Sequence, residues 1–285
     1  MKSGIGAGFA LLVALAGPLH AQDAPRFGLT LEGGWSQSDF TRAYAGTQGP
    51  AANYTQFFTD DAGHYGKAAL SFGFAKDWDT RLSFSGLSFP TSLKGSFLGC
   101  CILSTWTSVE MKAVDLDVGL HRQFGGADVR FGAGVVSMEV QSDLHQNVIG
   151  SSFQLVSGDT YDTQKFTGIG PKLSVDVSLR VPKANGERLI AGLSVATLSG
   201  DLEQERSAPD GIGGQVDSSG SVRRELVNAG AYLGLSLPIG SGDFRGGFRR
   251  DFVEVSCDDP LAIGTGFLQA GVASTTFFLG YDLKF

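Results

Sequence analysis

The chain predicts an all-β fold, a transmembrane antiparallel up-and-down β-barrel, and three observations carry that expectation. The terminal stretch FFLGYDLKF alternates, with Phe277, Leu279, Tyr281, Leu283 and Phe285 on one face and Gly280, Asp282 and Lys284 on the other. That is the period of a strand with one apolar and one polar side. Nine earlier stretches alternate in the same manner. The segments joining them are short and long by turns, which is the layout of a bacterial outer-membrane barrel with tight periplasmic turns and longer outer loops.

The first residues, MKSGIGAGFALLVALAGPLHA, read as a secretory signal peptide over positions 1–21. Lys2 supplies the positive start, Phe9 to Leu15 the apolar centre, and Leu19-His20-Ala21 the cleavage site before Gln22. The apolar run is too short to anchor a chain across a bilayer. Residues 22–285 then form a single barrel domain exported to the bacterial outer membrane, and no cysteine near the cut marks a lipoprotein. The chain carries 22 basic against 29 acidic residues, net −7, and loss of Lys2 makes it one unit more acidic. This argues against a nucleic-acid partner, because phosphate binding needs a basic face. Glycine, 41 of 285 residues, is about twice its usual ~7% and favours strands and turns over helix.

The strands follow in order. Phe27–Ser36 sets Phe27, Leu29, Leu31 and Trp35 against Thr30 and Glu32. Tyr65–Lys76 sets Ala68, Leu70, Phe72 and Phe74 against Lys67, Ala69 and Ser71, and after a turn at Asp77–Asp79 the third strand sets Leu82 and Phe84 against Arg81, Ser83 and Ser85. Val109–His121 has Val114, Leu116, Val118 and Leu120 opposite Asp115 and Asp117; Asp128–Ser137 has Val129, Phe131, Ala133 and Val135 opposite Arg130. Phe166–Val181 places Leu173, Val175, Val177 and Leu179 away from Lys172, Ser174, Asp176 and Arg180, with Pro171 where a missing ladder donor can be tolerated. Leu189–Thr197, Arg224–Leu237, the less regular Phe244–Val255 and the closing Phe267–Phe285 complete a set of ten. Most hold the roughly 9–11 residues of a tilted membrane strand.

Short connections fall at Asp77–Asp79, Arg122–Ala127, Pro182–Arg188 and Pro238–Asp243. Long outer loops are expected at Gln37–His64, Leu87–Ser108, Met138–Lys165, Leu198–Arg223 and Ser256–Gly266. Both termini then lie in the periplasm, which requires an even strand count; ten satisfies it, and eight or twelve would also. Trp35 and Trp106 at the outer ends, with Trp78, Tyr281 and Phe285 at the inner ends, are expected to form two aromatic girdles.

The polar faces give the expected lumen-facing charges: Glu32, Lys67, Arg81, Asp115, Asp117, Arg130, Lys172, Asp176, Arg180, Arg224, Arg245, Arg249 and Asp251, with Asp282 and Lys284 at the periplasmic mouth. Mixed signs suit pairing across the interior, because buried charges need partners; a polar conduit is the other reading. About eight strands enclose a lumen that side chains can fill, so ten imply a narrow passage at most. The export signal places Cys100, Cys101 and Cys257 in an oxidising compartment and on the same side of the membrane, which allows a loop-to-loop disulfide and leaves one thiol over.

Two stretches carry a family resemblance. Val114-Asp115-Leu116-Asp117-Val118-Gly119 with Arg122-Gln123-Phe124 and Val129-Arg130-Phe131-Gly132 is one; Phe166-Thr167-Gly168-Ile169-Gly170-Pro171-Lys172 is the other. Both resemble the Legionella major outer-membrane protein family, whose members are described as pore-forming barrels, and the likeness is strongest over the fourth to sixth strands. The resemblance implies an outer-membrane location, a porin role and cysteines that act between subunits of a homo-oligomer. Phe285 resembles the terminal aromatic that the barrel-assembly machinery reads.

The functional expectation is a narrow porin-like barrel for small polar solutes, set in outer-membrane lipid and lipopolysaccharide. A surface or adhesion protein with a closed lumen is the alternative. An outer-membrane hydrolase is a weaker third: His64, His121 and His145 form no catalytic set with the neighbouring Asp60, Asp61 and Asp143. The acidic stretch holding Asp201, Glu203, Glu205, Asp210 and Asp217 lacks the fixed spacing of a calcium loop. No cofactor or metal is expected.

Overall fold

The computed structural model describes residues 26–38, 55–60, 63–97, 101–150, 158–182, 186–209, 214–255 and 272–285. The signal peptide, Cys100, Cys257 and the connection Ser256–Gly266 lie outside the described residues. Eleven strands follow in chain order: β1 Arg26–Ser38, β2 Thr55–Asp60, β3 Gly63–Ala75, β4 Trp78–Phe97, β5 Cys101–Phe124, β6 Ala127–Gly150, β7 Gly158–Arg180, β8 Arg188–Pro209, β9 Gln215–Ile239, β10 Gly242–Val255 and β11 Val272–Lys284.

From β3 onward each strand pairs antiparallel with the next, and β1 pairs with β3 and with β11, so the sheet closes on itself. Closure is obligatory in lipid, where an unpaired backbone edge finds no water. β2 and β3 both pair with β4, through Asp60↔Thr91 and His64↔Ser88, and make one interrupted stave. Pro90, which has no N–H to offer a ladder, faces that interval. The barrel therefore has ten staves.

Paired residues followed once around the barrel run from Leu233 through Phe248, Phe277, Trp35, His64, Ser88, Glu110, Gln141, Lys165 and Glu203 to Ser221, twelve residues along the starting strand. Ten staves with that offset give a strand tilt of ~40° and a backbone radius of about 10 Å. An interior of that width is one that side chains can fill.

The periplasmic turns are tighter than the sequence pattern suggested. Phe124 pairs with Ala127 around Gly125-Gly126, and Ile239 pairs with Gly242 around Gly240-Ser241. Gly125 and Gly240 adopt φ of 60° and 63°, the region a two-residue hairpin turn demands and a Cβ disfavours. In β7 the ladder to β8 runs from Ile169↔Ser199 directly to Lys172↔Ala196, passing over Gly170 and Pro171. That is where the proline lacks its donor.

The largest departure from expectation is on the outer side. Leu87–Ser108, Met138–Lys165 and Leu198–Arg223 are largely strand, so β4 to β9 continue far past the membrane as tall hairpins. The physical reason is an inversion of polarity. Below the boundary Phe131 and Val135 of β6 are exposed to lipid while Arg130 is buried in the lumen; above it Glu139 and Gln141 face outward while Val136, Met138 and Val140 are buried inside. β5 does the same, with Val114 outward and Asp115 inward below, Lys112 and Glu110 outward and Met111 and Val109 inward above. The lower part has an apolar outside for lipid; the upper part has an apolar inside because water surrounds it.

Candidate functional site

The lumen holds two layers. The lower one is charged. Arg130, 3% exposed, sits between Asp79 and Asp117: its Nε donates to Asp79 Oδ1 at 2.9 Å, and its Nη2 pairs with both carboxylates. Arg81 Nη1 donates to Asp176 Oδ2 at 3.0 Å, and Tyr232 donates its hydroxyl to the other oxygen of Asp176 at 3.0 Å. Lys172 pairs with Asp115 at 2.9 Å, and Ser83 donates to the same carboxylate at 3.0 Å. Arg245 Nη1 lies 3.3 Å from Glu32 and from Asp282. Arg249 holds both oxygens of Asp251 at 2.6 and 2.7 Å, and Lys284 pairs with Asp243 at the mouth.

Tyrosine hydroxyls tie these groups across the barrel. Tyr65 donates to Glu32 Oε2 at 3.1 Å and accepts from Arg249 at 3.4 Å. The guanidiniums of Arg245 and Arg249 stand 5.8 and 5.5 Å over the rings of Tyr232 and Tyr65. The charges pair across the interior rather than line a continuous open conduit.

Glycines make room for this layer. A Cβ on Gly119 would stand 2.3 Å from Arg130 Cζ and 2.4 Å from Asp79 Oδ1. A Cβ on Gly192 would stand 2.2 Å from the Tyr232 ring, which lies over that glycine.

The upper layer is apolar. Phe89, Val109, Val140, Phe166, Leu198, Leu226, Val253, Val255 and Val272 are each no more than 1% exposed. They join Tyr65, Leu87, Met111, Val136, Met138, Ala196, Leu202 and Phe278 in one cluster to which every stave except β1 contributes. This plug fills the bore at and above the outer membrane boundary. Beneath it a cavity of about 200 Å³ reaches from Tyr232 and Phe278 down to Asp128, Arg188 and Lys284 at the periplasmic mouth.

Of the residues singled out from sequence, Glu32, Lys67, Arg81, Asp115, Asp117, Arg130, Lys172, Asp176, Arg245, Arg249 and Asp251 all turn inward in the charged layer. Arg180 ends β7 exposed at the periplasmic rim, and Arg224 lies beyond Leu226, level with the plug and not with the charged layer. Trp35 is 57% and Trp78 44% exposed on the lipid side, at the outer and inner ends of their strands. Tyr281 donates to the Ile239 carbonyl at 2.5 Å, and Phe285 is exposed beside it at the inner rim.

Trp106 lies on β5 opposite His145, six positions outward of Lys112. Cys101 opens β5 opposite Phe97 and Gly150; its side chain, and both other cysteines, lie outside the described residues.

Asp79 was missed because it reads as a turn residue. Counting back by two from Arg81 would have placed it inward. The same count from Lys67 finds Tyr65.

Among the described residues, no group of three His, Cys, Asp or Glu is arranged to hold a metal. His121 contacts Asp79 at 3.3 Å near the periplasmic end, His64 is exposed, and His145 stacks on the ring of Tyr161 at 4.4 Å while meeting Asp159 at 3.1 Å.

Comparison with known proteins agrees with this architecture. The outer membrane protease OmpT from Escherichia coli superposes with a TM-score of 0.50 at 10% identity, over 93% of this chain and 97% of that one. A major outer membrane protein from Thermus thermophilus gives 0.42 at 11% identity over 92% and 100%, and OprG from Pseudomonas aeruginosa 0.34 at 11% over 90% and 95%. At 10% identity the likeness to the protease speaks for the fold alone, and the other two carry no argument. No curated protein matches the sequence significantly. A family model, described as Legionella pneumophila major outer membrane protein precursor, matches residues 28–237, from β1 to the end of β9 and well beyond the three strands where the resemblance is plainest in sequence. The chain belongs to that family and is a β-barrel of the Gram-negative outer membrane.

Proposed function

We propose that the protein is an outer-membrane barrel whose lumen is closed to solutes at rest, and that it acts at the cell surface through the tall hairpins β4 to β9. The observation that supports this is the apolar plug. Side chains from nine of ten staves fill the bore with almost no exposed surface, and ions crossing such a layer would lose their hydration without gaining partners. The strand extensions end in a water-facing wall of mixed charge, including Glu110, Lys112, Glu139 and Lys165. In this reading the signal peptide is removed after Ala21 and the barrel-assembly machinery inserts the mature chain.

A second reading is favoured by the family and by the charged vestibule: a narrow porin for small polar solutes that conducts when the plug moves aside. Planar-bilayer recording separates the two. The purified protein is expected to give rare or no conductance steps, and a Phe89→Ala, Phe166→Ala double variant, which thins the plug, to give frequent ones. Frequent steps from the unaltered protein would overturn the closed-lumen reading in favour of the porin. A hydrolase reading, suggested only by the fold shared with a protease, finds no support in the placement of His64, His121 and His145. Cleavage of a basic peptide that is lost on His145→Ala would revive it.

A further inference from the structure

Among the described residues, the ion pairs of the vestibule leave the Lys67 ammonium without a partner. Lys67 points inward from β3, directly across the ladder from Glu32 on β1. Glu32 is already committed, with Oε1 3.3 Å from Arg245 and Oε2 accepting from the Tyr65 hydroxyl at 3.1 Å. Asp176 is held by Arg81 at 3.0 Å, and Asp251 grips Arg249 with both oxygens. Among the described residues no ion pair or hydrogen bond forms on the Lys67 ammonium.

Two further donors in the same wall lack acceptors. Arg245 Nε is buried without a partner. Arg130 Nη1 makes no hydrogen bond either, and Asp176 Oδ2 stands 3.9 Å from it. Among the described residues, every buried side-chain atom of this wall without a partner is therefore an N–H donor. Asp79, Asp117 and Asp251 stand behind Arg130 and Arg249, off the cavity wall, while the carboxylates on the wall beside Lys67 are already bonded to arginines. A buried ammonium needs an acceptor, and the space beside it, about 200 Å³, is open to the periplasmic mouth.

We infer that the vestibule binds a small oxyanion, of phosphate or carboxylate chemistry, drawn from the periplasm. Lys67 supplies the charge, and Arg130 and Arg245 supply the unfilled N–H donors. Binding from the periplasmic side is independent of whether the plug opens, so the site stands or falls separately from the closed-lumen reading.

The test is isothermal titration calorimetry of the purified, folded full-length barrel at constant ionic strength, with inorganic phosphate in one arm and succinate in the other. Saturable binding of at least one anion is expected, and the arm that saturates identifies the chemistry. Lys67→Met should weaken it by at least about tenfold, the loss of one charged hydrogen bond. Lys67→Arg should restore it, and Lys112→Met, on the outer wall, should leave it unchanged. Absence of saturable binding in both arms, or equal affinity in Lys67→Met, overturns the inference. If Lys67→Met does not reach the folded, heat-modifiable form, the unaltered barrel answers the question by lysine acylation and mass spectrometry. A bound anion must slow labelling of Lys67 but not of Lys112, and equal labelling overturns the site.

Discussion

The amide of Phe285, the last residue, donates a 2.9 Å hydrogen bond to the carbonyl of Phe27, so the seam of the barrel extends to the end of the chain. Above that bond β11 runs against β1 from Lys284↔Gly28 to Ser274↔Ser38 and against β10 on its other side. The ring itself is 75% exposed and packs little.

That asymmetry between backbone and ring predicts what deletion of Phe285 does. The refolded variant should lose about 1 kcal/mol, the net worth of one hydrogen bond, and its urea midpoint should move little. Assembly in cells should fall much further under the proposal that the barrel-assembly machinery reads this aromatic. The heat-modifiable fraction in outer-membrane preparations measures this, and normal levels of the truncated barrel would refute it.

Arg130 is the centre of the charged layer. Arg130→Ala takes from Asp79 and Asp117, both buried, the guanidinium that pairs with both of them. Stability should drop by about 3–5 kcal/mol, the usual cost of removing one partner from a buried charge cluster. Replacing the whole cluster, Arg130→Met with Asp79→Asn and Asp117→Asn, should recover most of the loss. An unfolding midpoint unchanged in Arg130→Ala would show that the cluster contributes nothing.

Gly119→Ala tests the space that the guanidinium needs. The added methyl would meet Arg130 Cζ at 2.3 Å and Asp79 Oδ1 at 2.4 Å, so one of them must move, at a cost of about 1–3 kcal/mol. The same substitution in an Arg130→Ala background should cost less, and a double-mutant cycle should return a coupling near 1 kcal/mol or more. Strict additivity would mean that the two sites do not share the space.

The alternation of β5, β7 and β8 made the barrel legible from sequence, since Leu173, Val175 and Val177 facing away from Lys172, Ser174 and Asp176 leave little choice of face. The height of the barrel was not legible. At Lys112 and Ser137 the apolar residues change sides of the strand, and a pattern that changes phase reads as loop when only one phase is sought. Pairing across the bore was beyond reach for another reason. Arg81 meets Asp176 and Arg249 meets Tyr65 across separations of 95 and 184 residues, and such meetings follow from strand number and stagger rather than from any local spacing.

Beyond the plug, Asp162 carries a prediction about pH. It lies on β7 outward of Phe166, in the part of the hairpins that stands in water, yet its side chain is buried against Gln204, which donates to both carboxylate oxygens at 3.0 and 3.1 Å. Burial pushes its pKa above the ordinary value of 3.8, against the lowering effect of Gln204 and Arg206. The carboxylate is thus harder to ionise in the folded protein than in the unfolded chain. Folding carries a penalty at neutral pH that fades as pH falls through the raised value and is gone below about 3.8. Asp162→Asn keeps an acceptor for Gln204 and removes the charge, so it should raise the unfolding temperature of the barrel at pH 7. The gain over the unaltered protein should shrink as pH is lowered toward 4. A variant less stable than its parent at pH 7, or a difference that does not vary with pH, would show that the ionised Asp162 is a net stabiliser of the outer hairpins.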